Sequence, residues 1–172
     1  MTSIRESIEV EVPVRTAYDQ WTQFKSFPRI MHLVRRVDQV SPAMTCWNVR
    51  VGVFRKEYMA EIVEQRPDSL IAWRGAEREP WHWGEVCFRA AGPERAVIEV
   101  SMHVEPRGLA GLVPGAGNRV RGAVREALVH FKEFIEGLGD ASGAWRHSIH
   151  NGRVTPSEPD PPRSRVPKWP VG

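Results

Sequence analysis

The sequence predicts an α+β domain: a curved antiparallel sheet of seven strands, one long C-terminal helix laid against it, and a hydrophobic cavity between them. Three observations lead there. Apolar and polar residues alternate with a period of two through most of residues 33–104. The segments that alternate are joined by short, turn-prone connections rather than by helices. A single amphipathic stripe of helical period then follows at 120–138. A chain of 172 residues suits one domain, which at that size buries roughly 70% of the unfolded surface.

Taken in order, Ser7–Val12 (SIEVEV) alternates as a half-buried strand. Pro13 ends it and opens a helix, because the N–H that proline lacks has no partner in a first turn. Val14, Ala17, Tyr18, Trp21 and Phe24 make that helix's apolar face, and Ser26-Phe27-Pro28 reads as a break into a second short turn. Leu33–Val40, Met44–Val51, Phe54–Gln65, Ser69–Arg74, Trp81–Ala91 and Ala96–Val104 read as strands. Ser41-Pro42, Gly52, Pro67-Asp68, Gly75 to Pro80 and Gly92-Pro93 separate them. Beyond Pro106 and a Gly-rich loop, Val120, Val124, Ala127, Phe131, Phe134, Ile135 and Leu138 form the stripe of the long helix. The domain is read as 1–138. Residues 139–172 read as a Pro/Gly-rich flexible tail, since six of the 14 prolines fall in the last 17 residues.

Composition excludes several classes. With 41% apolar residues the chain is not intrinsically disordered, and no apolar run reaches the roughly 20 residues of a membrane helix. The 24 basic and 21 acidic side chains are interspersed rather than gathered in a stripe, which argues against nucleic acid. Met1 to Glu6 lead into no apolar segment, so no secretory signal is expected. Cys46 and Cys87 are too few for a disulfide framework or a metal cluster, and a reduced, cytoplasmic protein is expected.

Five stretches, Ser7–Met31 (SIEVEVPVRTAYDQWTQFKSFPRIM), Val34–Val37, Ala60–Arg74 (AEIVEQRPDSLIAWR), Gly84–Phe88 and His130–Glu136 (HFKEFIE), resemble the polyketide cyclase/dehydrase and coenzyme Q-binding branch of the START-like (SRPBCC, helix-grip) superfamily. The resemblance covers about residues 4 to 138. It implies a helix-grip fold with a cavity beneath the C-terminal helix, and activities ranging from aromatase/cyclase to quinone or lipid carriage. The chain departs from the common bacterial form at Glu79-Pro80-Trp81-His82-Trp83, where such proteins tend to have a small Gly/Asn-rich segment. No catalytic assignment is carried over from the aromatase pocket.

Strand alternation sets which side chains face inward. His82 shares parity with Gly84, Val86 and Phe88; Tyr58 with Lys56, Ala60 and Ile62; Trp47 with Val49 and Val51; and Met102 with Ile98, Val100 and Val104. Arg50 and His103 then face out. An inward imidazole serves as acid or base near neutral pH, and a tyrosine donates to a carbonyl oxygen, so His82 and Tyr58 are the catalytic candidates. The competing readings are a strand-end histidine bonded to a neighbour and a core aromatic. Trp47, Lys56, Trp73, Val86, Phe88, Met102, Val124 and Phe131 are the expected cavity lining, while Trp81 and Trp83 either add aromatic walls or, from their odd parity, cover the outer face or a rim. Gly115-Ala116-Gly117 lacks its third glycine, since Val120 stands there, and is no dinucleotide loop. His147 and His150 lack supporting ligands, no G-x-S-x-G motif occurs, and Cys87 reads as packing. Neither a metal nor a cofactor is expected.

The function expected is a cofactor-independent cyclase or dehydratase, monomeric or homodimeric, whose partner is a hydrophobic polyketide-like intermediate. The alternative is a non-catalytic carrier of a quinone or lipid, and a third reading is an interaction module acting through the tail.

Overall fold

The computed structural model describes residues 2–51, 53–105 and 116–155. Its elements run β1 (Thr2–Val10), α1 (Val14–Trp21), a short 3-10 helix (Phe24–Arg29), then β2 (Val34–Ser41), β3 (Met44–Val51), β4 (Phe54–Arg66), β5 (Leu70–Gly75), β6 (His82–Gly92) and β7 (Arg95–Val104). The long helix α2 (Ala116–Leu138) follows, and then β8 (Ser148–His150) and β9 (Arg153–Thr155). The sheet order is β1-β7-β6-β5-β4-β3-β2, antiparallel throughout, with β8 attached to β4 and β9 to β8. This is the START-like helix-grip architecture, with nine strands where the alternation gave seven.

Two differences have clear physical reasons. β1 begins at Thr2 rather than Ser7 and stops at Val10, because it is zipped to β7 from Thr2↔Val104 to Val10↔Ala96. The tail boundary at Gly139 is where α2 ends, not where packing ends. Gly139 takes φ +73 and its N–H donates to the Ile135 carbonyl at 2.9 Å, a left-handed helix stop that glycine adopts without a Cβ penalty. Past it the chain folds back: Ser142 N donates to Gln20 Oε1 at 2.7 Å and Trp145 N to Thr22 Oγ1 at 3.2 Å. β8 then pairs Glu64 and Gln65, beyond the point where β3 leaves β4 at Met44↔Glu61, and buries Ile149 to 1% exposure. Residues 156–172, with Trp169, lie outside the described residues, as do Gly52 and the Gly-rich loop at 106–115, which takes in Gly115.

Arg146 locks this return in place. Its guanidinium reaches Asp19 at 2.5 Å and Asp68 at 2.8 Å and lies 5.6 Å from the centre of the Tyr18 ring. Tyr18 is fully buried and accepts from Gln65 Nε2 at 3.0 Å. Removing Arg146 strands the buried Asp19 carboxylate and the half-buried one of Asp68, which costs less than the several kcal/mol of a fully buried pair. Arg146→Ala is therefore expected to lower stability by about 2 kcal/mol in urea unfolding and to expose 139–155 to limited proteolysis. An unchanged midpoint and an uncut segment would show that Arg146 does not hold it.

α2 is clasped to the β1 edge by charge as well as by its stripe. Arg125 pairs Glu6 at 2.9 Å, Lys132 donates to the Glu9 carbonyl at 3.1 Å and pairs Glu136 at 2.6 Å, and Glu136 accepts from Glu11 N at 2.8 Å. Inside, Ala127, Leu128, Phe131 and Ile135 are buried beneath the helix. No helix among the described residues is long and apolar enough to cross a membrane.

Candidate functional site

Between α2, the short 3-10 helix and the concave face of the sheet lies a cavity of about 170 Å³. That is on the scale of a cavity that holds benzene, and below the roughly 300 Å³ at which drug-sized ligand pockets begin. α2 contributes Val120, Val124 and Ala127, the 3-10 segment Phe24 and Phe27, and the sheet Trp47, Tyr58, Trp73, His82 and Met102. Thr45 also faces it, but its hydroxyl is spent: it donates to the Ala60 carbonyl at 3.0 Å and accepts from Trp47 Nε1 at 2.8 Å.

The polar end is built by three neighbouring strands. Tyr58 stands on β4, Gly75 on β5 and His82 at the start of β6. The Tyr58 and His82 rings meet edge-on at 4.8 Å, and Trp81 closes the group at 5.2 Å from Tyr58 and 4.3 Å from His82. They meet across β5 because Gly75 has no side chain: a Cβ there would lie 3.2 Å from His82 Nε2 and 2.5 Å from Glu77 Oε2. Glu77 therefore reaches back over the same glycine, and it also accepts from Trp81 Nε1 at 3.2 Å.

His82 is 3% exposed, and its Nε2 is buried with no hydrogen-bond partner. A buried polar atom left unsatisfied is uncommon, and a functional site is one setting that tolerates it. Burial lowers the imidazole from its ordinary 6.5 to about 4; Glu77 opposes the shift and Lys56 adds to it. The ring is thus neutral at pH 7. Burial likewise holds Tyr58 above its ordinary range, with Glu77 adding to it, so the phenol stays protonated and able to donate.

This shift has a consequence for stability. The unfolded chain protonates His82 below about 6.5, the folded chain only near 4, so the contribution is complete above 6.5 and drains as pH falls toward 4. Its size is about 3 kcal/mol. His82→Phe should flatten that window: urea midpoints at pH 7 and pH 4.5 should differ less in the variant than in the wild type. Equal differences in both proteins would contradict a buried neutral imidazole.

Of the expected lining, Trp47, Trp73, Met102 and Val124 face the cavity. Val86, Phe88 and Phe131 point inward as read but lie deeper, in a plug without open space. There Phe88 meets Tyr18 at 5.3 Å and Trp21 at 5.9 Å, and Phe131 meets Trp21 at 5.0 Å. Lys56 is not in the wall; its long side chain carries the ammonium out over the Trp81 ring at 4.4 Å. Of the two positions open to Trp81, the structure gives the wall: it is 6% exposed and lines the cavity. It precedes β6, so strand parity does not govern it, and its other side meets an outer cleft formed with Glu77, Arg78 and Glu79. Trp83 does obey parity and stacks outside on His103 at 5.4 Å, with the His103 Nδ1 3.0 Å from Ser3 Oγ. Burial raises both cysteine thiols, with Glu57 adding to the effect at Cys46 and Glu85 at Cys87, which disfavours a thiolate nucleophile.

A curved sheet gripping one long helix over an apolar cavity defines the START-like fold. The chain belongs to the family described as polyketide cyclase / dehydrase and lipid transport, whose pattern matches residues 10–132. An uncharacterised 17.2 kDa protein from the melC2-rnhH intergenic region of Streptomyces lincolnensis is 37% identical over 149 residues, covering 87% of this chain and 99% of that protein. Among solved structures, the Zhui aromatase/cyclase of Streptomyces sp. R1128 superimposes with a TM-score of 0.60 at 16% identity, covering 83% of this chain and 98% of that one. A START superfamily protein of Mycobacterium smegmatis gives 0.60 at 15% identity, covering 80% and 97%. At such identities the structures show the shared fold.

Proposed function

We propose that this chain binds a hydrophobic, carbonyl-bearing polyketide-like intermediate and promotes its ring closure or dehydration without a cofactor. The observation that carries the reading is the buried, unpartnered Nε2 of His82, a residue that lines a mostly apolar cavity beside Tyr58. A neutral imidazole there takes a proton from the carbon between two ketones, and the Tyr58 hydroxyl donates to the oxygen on which the enolate charge gathers. The enolate carbon bonds to a second carbonyl carbon, and the imidazolium returns its proton to the resulting alkoxide. Loss of that hydroxyl as water with a further α-proton completes the dehydration. Burial makes the free imidazole a weak base, but the forming anion beside it favours the charged ring, so the proton transfer is matched to the step. The apolar walls supply the larger share by holding the chain folded near its reactive conformation. A ligand beyond a single ring must push aromatic side chains aside, and Trp81, shared between cavity and outer cleft, is the wall placed to move.

A carrier of a quinone or lipid is the second reading, favoured by the apolar walls and by the spent hydroxyl of Thr45. Native mass spectrometry of the purified chain, with denaturing extraction of whatever it holds, separates the two. Under the proposed reading the protein is isolated empty and converts an added poly-β-ketone. A quinone or long-chain lipid recovered unchanged, with no conversion, would establish the carrier instead. The same spectrum reads whether the chain is a monomer or a homodimer.

A further inference from the structure

On the outer flank of the same helix, His32, Glu126 and His130 converge. Glu126 and His130 lie four residues apart on α2 and so share one face. His32 arrives from the connection between the 3-10 helix and β2. Its Nδ1 stands 2.9 Å from Glu126 Oε1, and His130 Nε2 stands 3.7 Å from the same oxygen. The two imidazole rings meet edge-on with centroids 5.0 Å apart. One ligand atom from each of the three residues fits within a mutual spread of 4.8 Å.

We propose that these three side chains form a binding site for a divalent transition metal of the zinc and cobalt class. Two imidazole nitrogens and one carboxylate oxygen are the donor set that such borderline ions prefer over magnesium or calcium. Ligands on such an ion sit about 3 Å apart at bond lengths near 2 Å. The observed separations therefore close with small side-chain rotations and no backbone movement. The carboxylate offsets half of the ion's charge. His32, Glu126 and His130 are 65%, 47% and 31% exposed, so water completes the coordination shell and the ion exchanges freely. Nothing in the proposed ring-closure chemistry uses this site, and none of its three residues lines the cavity.

The ion would act as a clip. Met31 and Leu33, on either side of His32, line the cavity, and so do Val124 and Ala127, which flank Glu126 on α2. Metal binding would join these two walls through a cross-link of 94 residues' separation between His32 and Glu126, and binding only to the folded chain raises its stability.

The test uses the full chain with no affinity tag and cobalt(II) chloride as the probe. One equivalent of cobalt should produce visible d–d bands and raise the thermal midpoint. His32→Ala and His130→Ala should each weaken cobalt binding at least about tenfold and remove the rise. Both positions are exposed enough for the fold to survive, and an unchanged far-ultraviolet dichroism spectrum checks it. A wild-type chain that takes no cobalt at millimolar concentration, or bands that persist in both variants, would overturn the assignment.

Discussion

Replacing His82 with alanine should lower the turnover of a poly-β-ketone by about 10²–10⁴-fold, the usual contribution of one general acid–base group. The expected loss falls on kcat more than on KM, because the apolar walls that bind the ligand stay in place. Tyr58→Phe keeps the ring and removes the hydroxyl, and should cost less, since it deletes one donor to the forming oxyanion. The variant pair also separates chemistry from packing. His82 touches Tyr58 and Trp81, so His82→Phe, which restores an aromatic ring, should recover stability but not turnover. Turnover unchanged in both His82→Ala and Tyr58→Phe would remove these residues from the mechanism.

The second large effect is on folding. Gly84 lies on β6 between Trp73 of β5 and Met102 of β7. A Cβ there would stand 2.6 Å from the Ser101 carbonyl oxygen and 2.8 Å from both Met102 Cβ and Trp73 Cζ2. The first of these is backbone held in the β6–β7 ladder and cannot move without breaking it. Gly84→Ala should therefore destabilise the domain by about 3 kcal/mol, the upper end for overpacking and a large share of a typical 5–15 kcal/mol. Trp73 and Met102 both line the cavity, so the same substitution should distort the wall. A denaturation midpoint equal to that of the wild type would show that the sheet yields at Gly84 more easily than its contacts imply.

The sheet was legible in the sequence because each strand from β2 to β7 has one buried face, and a period-two pattern reports a buried face directly. The same rule placed His82, Tyr58, Trp47 and Met102 on the concave side. It could not report depth: Phe88 shares that side, yet Trp21 from α1 packs against it, as it does against Phe131 of α2. Nor could it show that His82 and Tyr58 meet, since β5 separates their strands. The signal was Gly75, read as the start of a turn when it is the last residue of β5 and the gap through which the rings touch. Glu77 was hidden for the same reason. Trp81 escaped the parity rule by lying one residue outside β6, and β8 was too short, at Ser148–His150, to alternate visibly inside a Pro/Gly-rich segment. In the His32–Glu126–His130 cluster, Glu126 and His130 are four residues apart, but His32 is far from both in the chain and no local spacing links it to them.

The most direct measurement is of the His82 imidazole itself, by ¹⁵N NMR of labelled protein with and without an aromatic β-hydroxy ketone as ligand. The expected result is a neutral ring at pH 7, protonating only near pH 4, and a large change in the Nε2 shift when the ligand's carbonyl or enol arrives. A ring already charged at pH 7, or an Nε2 signal indifferent to a ligand bound in the cavity, would contradict it.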